Sequence, residues 1–163
     1  RMEVPNVSGR MDNLRAAILR PQLVALPDRI AAWNARYHCV EQGLRGVEGL
    51  TLVERLQAEA HVGSSIQFLL LDWTGEDICA LLKRCAARGV ELKWFGAEEP
   101  VAFTSRYDHW RYAPSERMAR TDRVLAATMD MRLPLTFDLD DCALIARIIG
   151  EEVAALSESA EAQ

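Results

Sequence analysis

The first forty residues carry apolar side chains at helical spacing, behind a loop. Residues 1–10 are rich in turn formers and follow no period, which predicts a loop. From Met11 onward apolar residues recur every three or four positions, which predicts an amphipathic helix over residues 11–40. Pro21 and Pro27 interrupt this pattern, so each is expected to kink the helix or split it in two. A long, bent helix of this kind is typical of a connector between domains. Its main face is expected to contain Leu14, Ala17, Ile18, Ile30, Trp33, Asn34 and Tyr37.

Short apolar runs bounded by turn signals follow, and they predict a small sheet. Three strands are predicted here, over residues 50–55, 64–72 and 90–95. The second of them has the pattern of a central strand. It leads into a helix, because Thr74 and Asp77 have the spacing of a capping box and Gly89 suits the helix end. The buried stripe of that helix is expected to contain Ile78, Leu81, Leu82 and Cys85.

The last third of the chain begins with an irregular, aromatic-rich stretch over residues 96–114. Ser115 is then expected to cap a helix that extends through Thr128. A short strand is predicted over residues 132–136, and Asp138 is expected to cap the final helix. The inner side of that helix is expected to contain Leu144, Ile145, Ile148, Ile149, Val153 and Leu156. These elements predict an α/β (α+β) fold in which helices cover a short sheet.

Composition limits the classes of function. The 163 residues suit one domain with an attached arm, and the longest apolar runs, residues 78–82 and 142–146, are far below the ~20 residues needed to span a membrane. Residues 1–38 contain six arginines and three acids, whereas the remainder has 13 basic and 21 acidic residues. An acidic chain without a basic cluster argues against nucleic acid or an anionic membrane as the partner. The four cysteines form no metal-binding pattern, so we expect buried thiols in a reducing cytoplasm.

Few residues indicate catalysis by themselves. The three histidines lie far apart, and none has ligand spacing with another histidine, cysteine or acid. Of the two lysines, Lys83 is expected to be solvated, whereas Lys93 alternates with apolar residues in a strand and can face a cleft. Asp138, Asp140 and Asp141 cluster at a predicted helix start, where capping explains them. No metal site is expected.

One segment resembles a known family. Its matching residues are Arg10, Met11, Ala16, Ala17, Ile18, Gln22 and Leu23. In order and spacing they resemble a segment of the DegT/DnrJ/EryC1/StrS aminotransferases, which are fold-type-I enzymes dependent on pyridoxal phosphate. Downstream, the Gly89-Val90 step, the predicted helix over 115–129 and the Leu-Pro-Leu run at 133–135 also resemble the family's C-terminal region. The resemblance implies a large-domain exit loop and connecting helix over residues 1–42, and a small C-terminal domain over residues 43–163.

The resemblance also implies cofactor contacts. Two residues before the Arg10 position, the family has an Asn that reaches the cofactor phosphate. Ser8 stands at that position and Asn6 lies two residues earlier, so Ser8, Asn6 and Arg10 are the candidate cofactor-binding residues. A turn role for Ser8 and a structural salt bridge for Arg10 are the alternatives. The family's Schiff-base lysine, stacking aromatic and pyridinium-pairing acid lie upstream of this segment. The chain is therefore expected to be a C-terminal fragment, inactive alone, and its lack of an initiator Met agrees with that expectation.

Substrate contacts are expected from the aromatic loop over residues 94–112. Trp94, Tyr107 and His109 can stack on a base or sugar, and Arg106 can bind a phosphate. The alternative for Trp94 is packing within the small domain. The parent protein is expected to transfer an amino group from an amino acid to a keto-sugar or nucleotide-sugar, as a homodimer with its large domain. The alternative is a non-enzymatic α/β module that binds a protein partner through helix 11–40.

Overall fold

The computed structural model describes residues 11–56, 58–101, 106–109 and 116–161. Within these ranges the chain forms five α-helices, four β-strands and a 3₁₀ turn. The helices are α1 (Asn13–Val24), α2 (Leu26–Leu44), α3 (Gly75–Ala87), α4 (Ala119–Ala127) and α5 (Leu139–Glu161), and the 3₁₀ turn is Tyr107–His109. The strands are β1 (Thr51–Leu52), β2 (Ser65–Leu69), β3 (Lys93–Trp94) and β4 (Thr128–Arg132). None of the described helices is both long and apolar enough to cross a membrane.

The four strands form one antiparallel sheet in the order β1-β2-β4-β3. The prediction of a central strand within residues 64–72 is confirmed, although β2 itself is shorter. Strands β1 and β3 are also shorter than the predicted 50–55 and 90–95, since each pairs over two residues at an edge of the sheet. β4 lies between β2 and β3, so the predicted strand–helix–strand unit does not form a neighbouring pair of strands.

The core lies on one face of this sheet. Ile66 and Phe68 of β2 stand opposite Met131 and Met129 of β4, and these four side chains are 0–4% exposed. Helices α2, α3 and α5 cover that face with further buried side chains, which include Tyr37, Val40, Leu44, Ile78, Leu81, Cys85, Ile149 and Val153. The C-terminal half of α2 thus shares the core of the small sheet. The domain boundary predicted at residue 42 falls within this helix.

The connecting helix is split once, at Ala25. Pro27 lies in the first turn of α2, where a missing N–H costs no helical hydrogen bond. Pro21 lies inside α1, which continues through it. Of the two breaks predicted at prolines, the one near Pro27 is therefore present and the one at Pro21 is absent. α1 has no buried residue, and Leu14 and Ile18 of its predicted apolar face are 71% and 53% exposed.

The local signals at α3 are confirmed. The Thr74 hydroxyl accepts from the Asp77 N–H at 3.2 Å, and the Asp77 carboxylate accepts from the Thr74 N–H at 3.1 Å, which is a capping box. Just past the helix end, Gly89 has φ 85°, a conformation that glycine adopts without strain. Asp138 and Asp141 exchange the same pair of bonds at the start of α5.

The helix predicted over 115–129 is confirmed over Ala119–Ala127, but its end and the position of the following strand were predicted wrongly. Ser115 lies outside the described residues; α4 begins at Ala119, and its N-cap Met118 makes no side-chain capping bond. Thr128 belongs to β4, and the strand predicted over 132–136 ends at Arg132. The cause is pairing with β2, which places Met129 and Met131 in the core and outweighs the helical spacing of the preceding residues.

Two burial predictions were also wrong. Leu144 is 43% exposed, whereas Cys142 and Ala146 occupy the inner side of α5. Of the four cysteines, Cys85 and Cys142 are buried, Cys39 is half-buried and Cys79 is exposed on α3. Both errors have one cause. Leu144 and Cys79 lie at the edge of the apolar face of their helices, and an apolar residue there is buried only when a neighbouring element covers it.

Candidate functional site

A cleft of about 540 Å³ lies between the 3₁₀ turn and α4. The turn contributes Tyr107 and Asp108, and Arg106 precedes it. The opposite side is formed by α4, by residues 116–117 before it and by Gly96 after β3. The described lining residues are Gly96, Arg106, Tyr107, Asp108, Glu116, Arg117, Asp122, Leu125 and Ala126. Two of the four predicted substrate-binding residues, Arg106 and Tyr107, therefore line one cleft.

Arg106 is held by a bidentate ion pair within its own turn. Its Nε donates to Asp108 Oδ1 at 3.0 Å and its Nη2 donates to Oδ2 at 2.5 Å. This bond holds the pKa of the Asp108 carboxyl below its usual value and raises that of the Arg106 guanidinium. An incoming phosphate would have to compete with the Asp108 carboxylate for these donors. The Arg106 guanidinium is thus held in a fixed position, and the Asp108 carboxylate already neutralises its charge.

Tyr107 connects the turn to the start of α4. Its hydroxyl donates to Asp122 Oδ1 at 2.7 Å and accepts from the Met118 N–H at 3.0 Å. The Met118 bond lowers the pKa of Tyr107, but the Asp122 bond and burial raise it, and the net shift is upward. The phenol therefore stays protonated at neutral pH and fixes the turn against α4.

Trp94 and His109 lie beside the cleft lining. The Trp94 indole N–H donates to the Ala126 carbonyl at 2.7 Å, and a Cβ on Gly96 would lie 2.6 Å from the indole ring. The Trp94 ring therefore lies so close to the backbone at residue 96 that only a glycine fits there. His109 Nδ1 accepts from the Arg106 N–H at 3.1 Å and so closes the 3₁₀ turn.

The cleft is a hydrogen-bonding surface of mixed charge. Its described lining holds two cations, Arg106 and Arg117, and three acids, Asp108, Glu116 and Asp122. Such a surface suits a neutral, polyhydroxylated or amine-bearing group better than an isolated anion. Among the described residues no group of three or more histidines, cysteines and acids is placed to hold a metal ion.

The predicted cofactor contacts Asn6, Ser8 and Arg10 lie outside the described residues, as do Trp110 and Tyr112 of the aromatic-rich stretch. Lys83 is exposed on α3, as predicted. Lys93 is half-buried and lines a second cavity, of about 330 Å³, whose walls are chiefly apolar. Of the residues singled out from the sequence, Arg106 and Tyr107 thus lie in the cleft, and the cofactor contacts stay predictions.

Asp108, Asp122 and Arg36 were not singled out from the sequence, although each organises its surroundings. Asp108 and Asp122 hold Arg106 and Tyr107. Arg36 on α2 donates to the carbonyls of Leu135 at 3.1 Å and Phe137 at 2.6 Å, so it ties the connecting helix to the loop before α5. The spacing of Asp108, two residues after Arg106, was the one sequence signal that could have indicated this ion pair. Nothing in the neighbouring sequence distinguishes Arg36 from an exposed helical arginine.

The chain belongs to the DegT/DnrJ/EryC1/StrS aminotransferase family, whose model matches residues 1–150. The class indicated by the Arg10-Met11 segment is confirmed. A comparison with curated protein sequences gives no match.

Solved structures share the fold. An aminotransferase, TlmJ from Streptoalloteichus hindustanus, superposes with a TM-score of 0.73 at 19% identity over 93% of this chain and 40% of its own. For 3-amino-5-hydroxybenzoic acid synthase the TM-score is 0.64 at 19% identity, with coverages of 86% and 38%. DesI, solved in the presence of its TDP-sugar product, gives 0.67 at 13% identity, with coverages of 93% and 38%. The chain thus spans about 40% of the length of these structures.

Proposed function

We propose that this chain is the C-terminal part of a pyridoxal-phosphate-dependent aminotransferase that aminates a keto-sugar or nucleotide-sugar with an amino-acid donor. The observation that carries the proposal is the family match over residues 1–150. Likeness to DesI, whose structure was solved with a TDP-sugar product, supports the choice of substrate class. The four free cysteines agree with a reducing compartment, and we place the reaction in the cytoplasm.

The described residues do not by themselves fit the cofactor. Pyridoxal phosphate needs a lysine, an acid facing its ring nitrogen and donors for its phosphate in one enclosed site. Lys83 is exposed to solvent. The cavity at Lys93 contains one acid, Glu91, and one further cation, Arg132, and both of these side chains are also exposed. We therefore assign the Schiff-base lysine to a large domain outside this chain, with Asn6, Ser8 and Arg10 reaching the phosphate. The chain alone is expected to be inactive.

In this proposal residues 43–163 form the small domain that contributes substrate contacts, and residues 1–42 connect it to the large domain. Trp94, Arg106, Tyr107 and His109 are the proposed substrate-side residues. Their support is the geometry of the cleft, where Arg106 and Tyr107 line the wall and Trp94 and His109 fix its shape. The mixed charge of the lining favours the hydroxyl groups of a sugar as the contact, rather than its phosphate.

The proposed partners are the large domain and a second copy of the protein. Support for the large domain comes from α1, whose apolar side chains are exposed: Leu14 71%, Ile18 53%, Leu23 65% and Val24 80%. A helix with an uncovered apolar face is stable in water only at a cost, and docking against another domain removes that cost.

The test is expression of the full reading frame that contains this chain. The purified protein should show the absorbance of lysine-bound pyridoxal phosphate and should transfer an amino group to a nucleotide-linked keto-sugar. The 163-residue chain alone, prepared in parallel, should show neither. Absence of the band in the full-length protein with excess cofactor overturns the proposal.

A second candidate function is a non-enzymatic module that binds a protein partner through helix 11–40. The observation that favours it is the same exposed face of α1. Size-exclusion chromatography of the full-length protein, with an absorbance spectrum of the eluted peak, distinguishes the enzyme from the module. The enzyme is expected to elute as a homodimer with bound cofactor. A cofactor-free protein that forms a complex through residues 11–40 supports the module.

A further inference from the structure

Helices α2 and α5 pack along a row of close contacts. A Cβ on Gly43 would lie 2.6 Å from the Cβ of Ala146, and a Cβ on Gly150 would lie 3.3 Å from Val47 Cγ2. From the first contact to the second the chain advances four residues on each side: one turn along α5, and from α2 into the turn that follows it. The two helices therefore run in the same direction here, with their backbones close because small residues lie between them.

One turn earlier in both helices the row continues with Cys39 and Cys142. Cys39 Sγ donates to the backbone carbonyl of Leu139 at 3.4 Å, so the Cys39 side chain lies against the first turn of α5. Cys142 is fully buried on the inner side of the same turn. Burial raises the pKa of the Cys142 thiol, and the neighbouring Cys39 raises it further. The two cysteines thus lie on contacting turns of α2 and α5.

We infer that Cys39 and Cys142 form a reversible redox pair, in which a hydroperoxide converts the two thiols into a disulfide that ties the connecting helix to the start of α5. A disulfide requires Cα atoms within roughly 4.4–6.8 Å of each other. One turn further along, the Gly43–Ala146 contact holds the two helix backbones close together, and the proposal requires that Cys39 and Cys142 reach this range.

The chemistry proceeds in two balanced steps. The Cys39 thiolate attacks a peroxide oxygen, the O–O bond breaks, and the leaving hydroxide or alkoxide takes a proton, which leaves Cys39 as a sulfenic acid. The Cys142 sulfur then attacks the Cys39 sulfur, the S–S bond forms, and the displaced hydroxide takes the Cys142 proton to become water. Two thiols lose two electrons in total, and the peroxide gains them.

Accessibility sets the order of these steps. Cys39 is half-buried and can meet a small oxidant, whereas Cys142 is closed off and serves as the resolving thiol. Cys85 is buried, and desolvation raises its pKa to about 11, so it stays inert. Cys79 is exposed on α3 and is the competing reactive thiol. It is removed in the test by Cys79→Ser.

The experiment treats the 163-residue Cys79→Ser chain with hydrogen peroxide and maps its peptides without reduction. We expect a peptide that links residues 39 and 142, a mass decrease of two hydrogen atoms, and loss of two of the three remaining thiols. The melting temperature should rise by roughly 5 °C or more and return after dithiothreitol. In the matched variant that also carries Cys142→Ala, Cys39 should oxidise beyond the sulfenic acid with no linked peptide.

The inference is overturned if Cys39 oxidises in the Cys79→Ser chain while Cys142 stays reduced. It is equally overturned if Cys39 is unmodified at a peroxide concentration that oxidises Cys79 in the unaltered chain. Should Cys142→Ala fail to fold, the peptide map of the Cys79→Ser chain decides the question, because it needs no change at either member of the pair.

Discussion

Glu152 joins α5 to α3 through two arginines. Its Oε2 accepts from Arg84 Nε at 2.5 Å and its Oε1 accepts from Arg88 Nη1 at 2.8 Å. Only 8% of the residue is exposed, so the carboxylate depends on these two bonds in place of water. The Arg88 bond, followed by the Arg84 bond, outweighs burial and holds the Glu152 pKa below its usual value.

Replacing Glu152 by Gln should therefore make stability less dependent on pH. A carboxyl whose pKa is depressed on folding stabilises the protein above its unfolded pKa, about 4.3 for Glu, and loses that effect as the pH falls through the folded value. We expect Glu152→Gln to melt below the unaltered chain at pH 7, and the gap to close below about pH 4. Thermal melts across pH 3–7 measure it. The control is Glu151→Gln, whose side chain is 51% exposed and should give a smaller gap. A Glu152→Gln gap that does not change with pH contradicts the prediction.

Tyr107 is the residue whose loss tests the cleft. In the full-length enzyme, Tyr107→Phe removes both bonds of the hydroxyl and frees the turn from α4. If the cleft binds substrate, KM for the keto-sugar should rise about 3- to 10-fold with kcat little changed, since a hydrogen bond contributes about 0.5–1.5 kcal/mol. Steady-state kinetics measure both constants. Lys83→Gln, on the exposed side of α3, is the control, and a KM equal to that of the control removes Tyr107 from the proposed site.

Among the elements, α3 begins with a cap that can be tested alone. Thr74→Ala removes the hydroxyl that accepts from the Asp77 N–H, and we expect a loss of about 0.5–2 kcal/mol in the free energy of unfolding. Thr74→Ser keeps the oxygen and should retain most of the stability. Urea denaturation of the two variants measures the difference. Equal losses would show that the methyl group, rather than the cap, matters.

The contact between α2 and α5 predicts a coupled pair of substitutions. Gly43→Ala gains helix propensity but places a Cβ 2.6 Å from Ala146, and we expect a net loss of about 1–3 kcal/mol from overpacking. Ala146→Gly should cost about 1 kcal/mol by itself. Because it removes the clashing atom, the double variant should be more stable than the sum of the two losses predicts. A double-mutant cycle by urea denaturation measures this, and strict additivity contradicts the packing described here.

For the whole molecule the open question is what covers α1. Leu14 and Ile18 are exposed in the chain, so Leu14→Lys with Ile18→Lys should change its stability by less than about 0.5 kcal/mol. In the full-length protein the same pair should cost several kcal/mol if the large domain docks on this face. Arg20→Gln, at an exposed position of the same helix, is the control. Chemical denaturation of both forms gives the comparison, and an equally small effect in the full-length protein removes α1 from the interface.

Local signals determined the parts of this protein that depend on neighbouring residues. The α3 capping box, the Asp138–Asp141 cap of α5 and the glycine after α3 need only partners a few residues away, and the sequence predicted all of them. The spacing of the Arg10-Met11 segment likewise led to the family that the comparison confirmed. Both partners of such a hydrogen bond lie within a few residues of each other in the sequence, which is why these features could be predicted.

Tertiary structure alone decided the remainder. β4 replaced a predicted helix end because its partner strand lies about sixty residues earlier, and no local pattern encodes that pairing. The same holds for the bond of Tyr107 to Asp122, the placement of Cys39 against the first turn of α5, and the exposure of Leu144. Each depends on which element another one covers, and burial, unlike a cap, is a property of two surfaces that meet only in the folded chain.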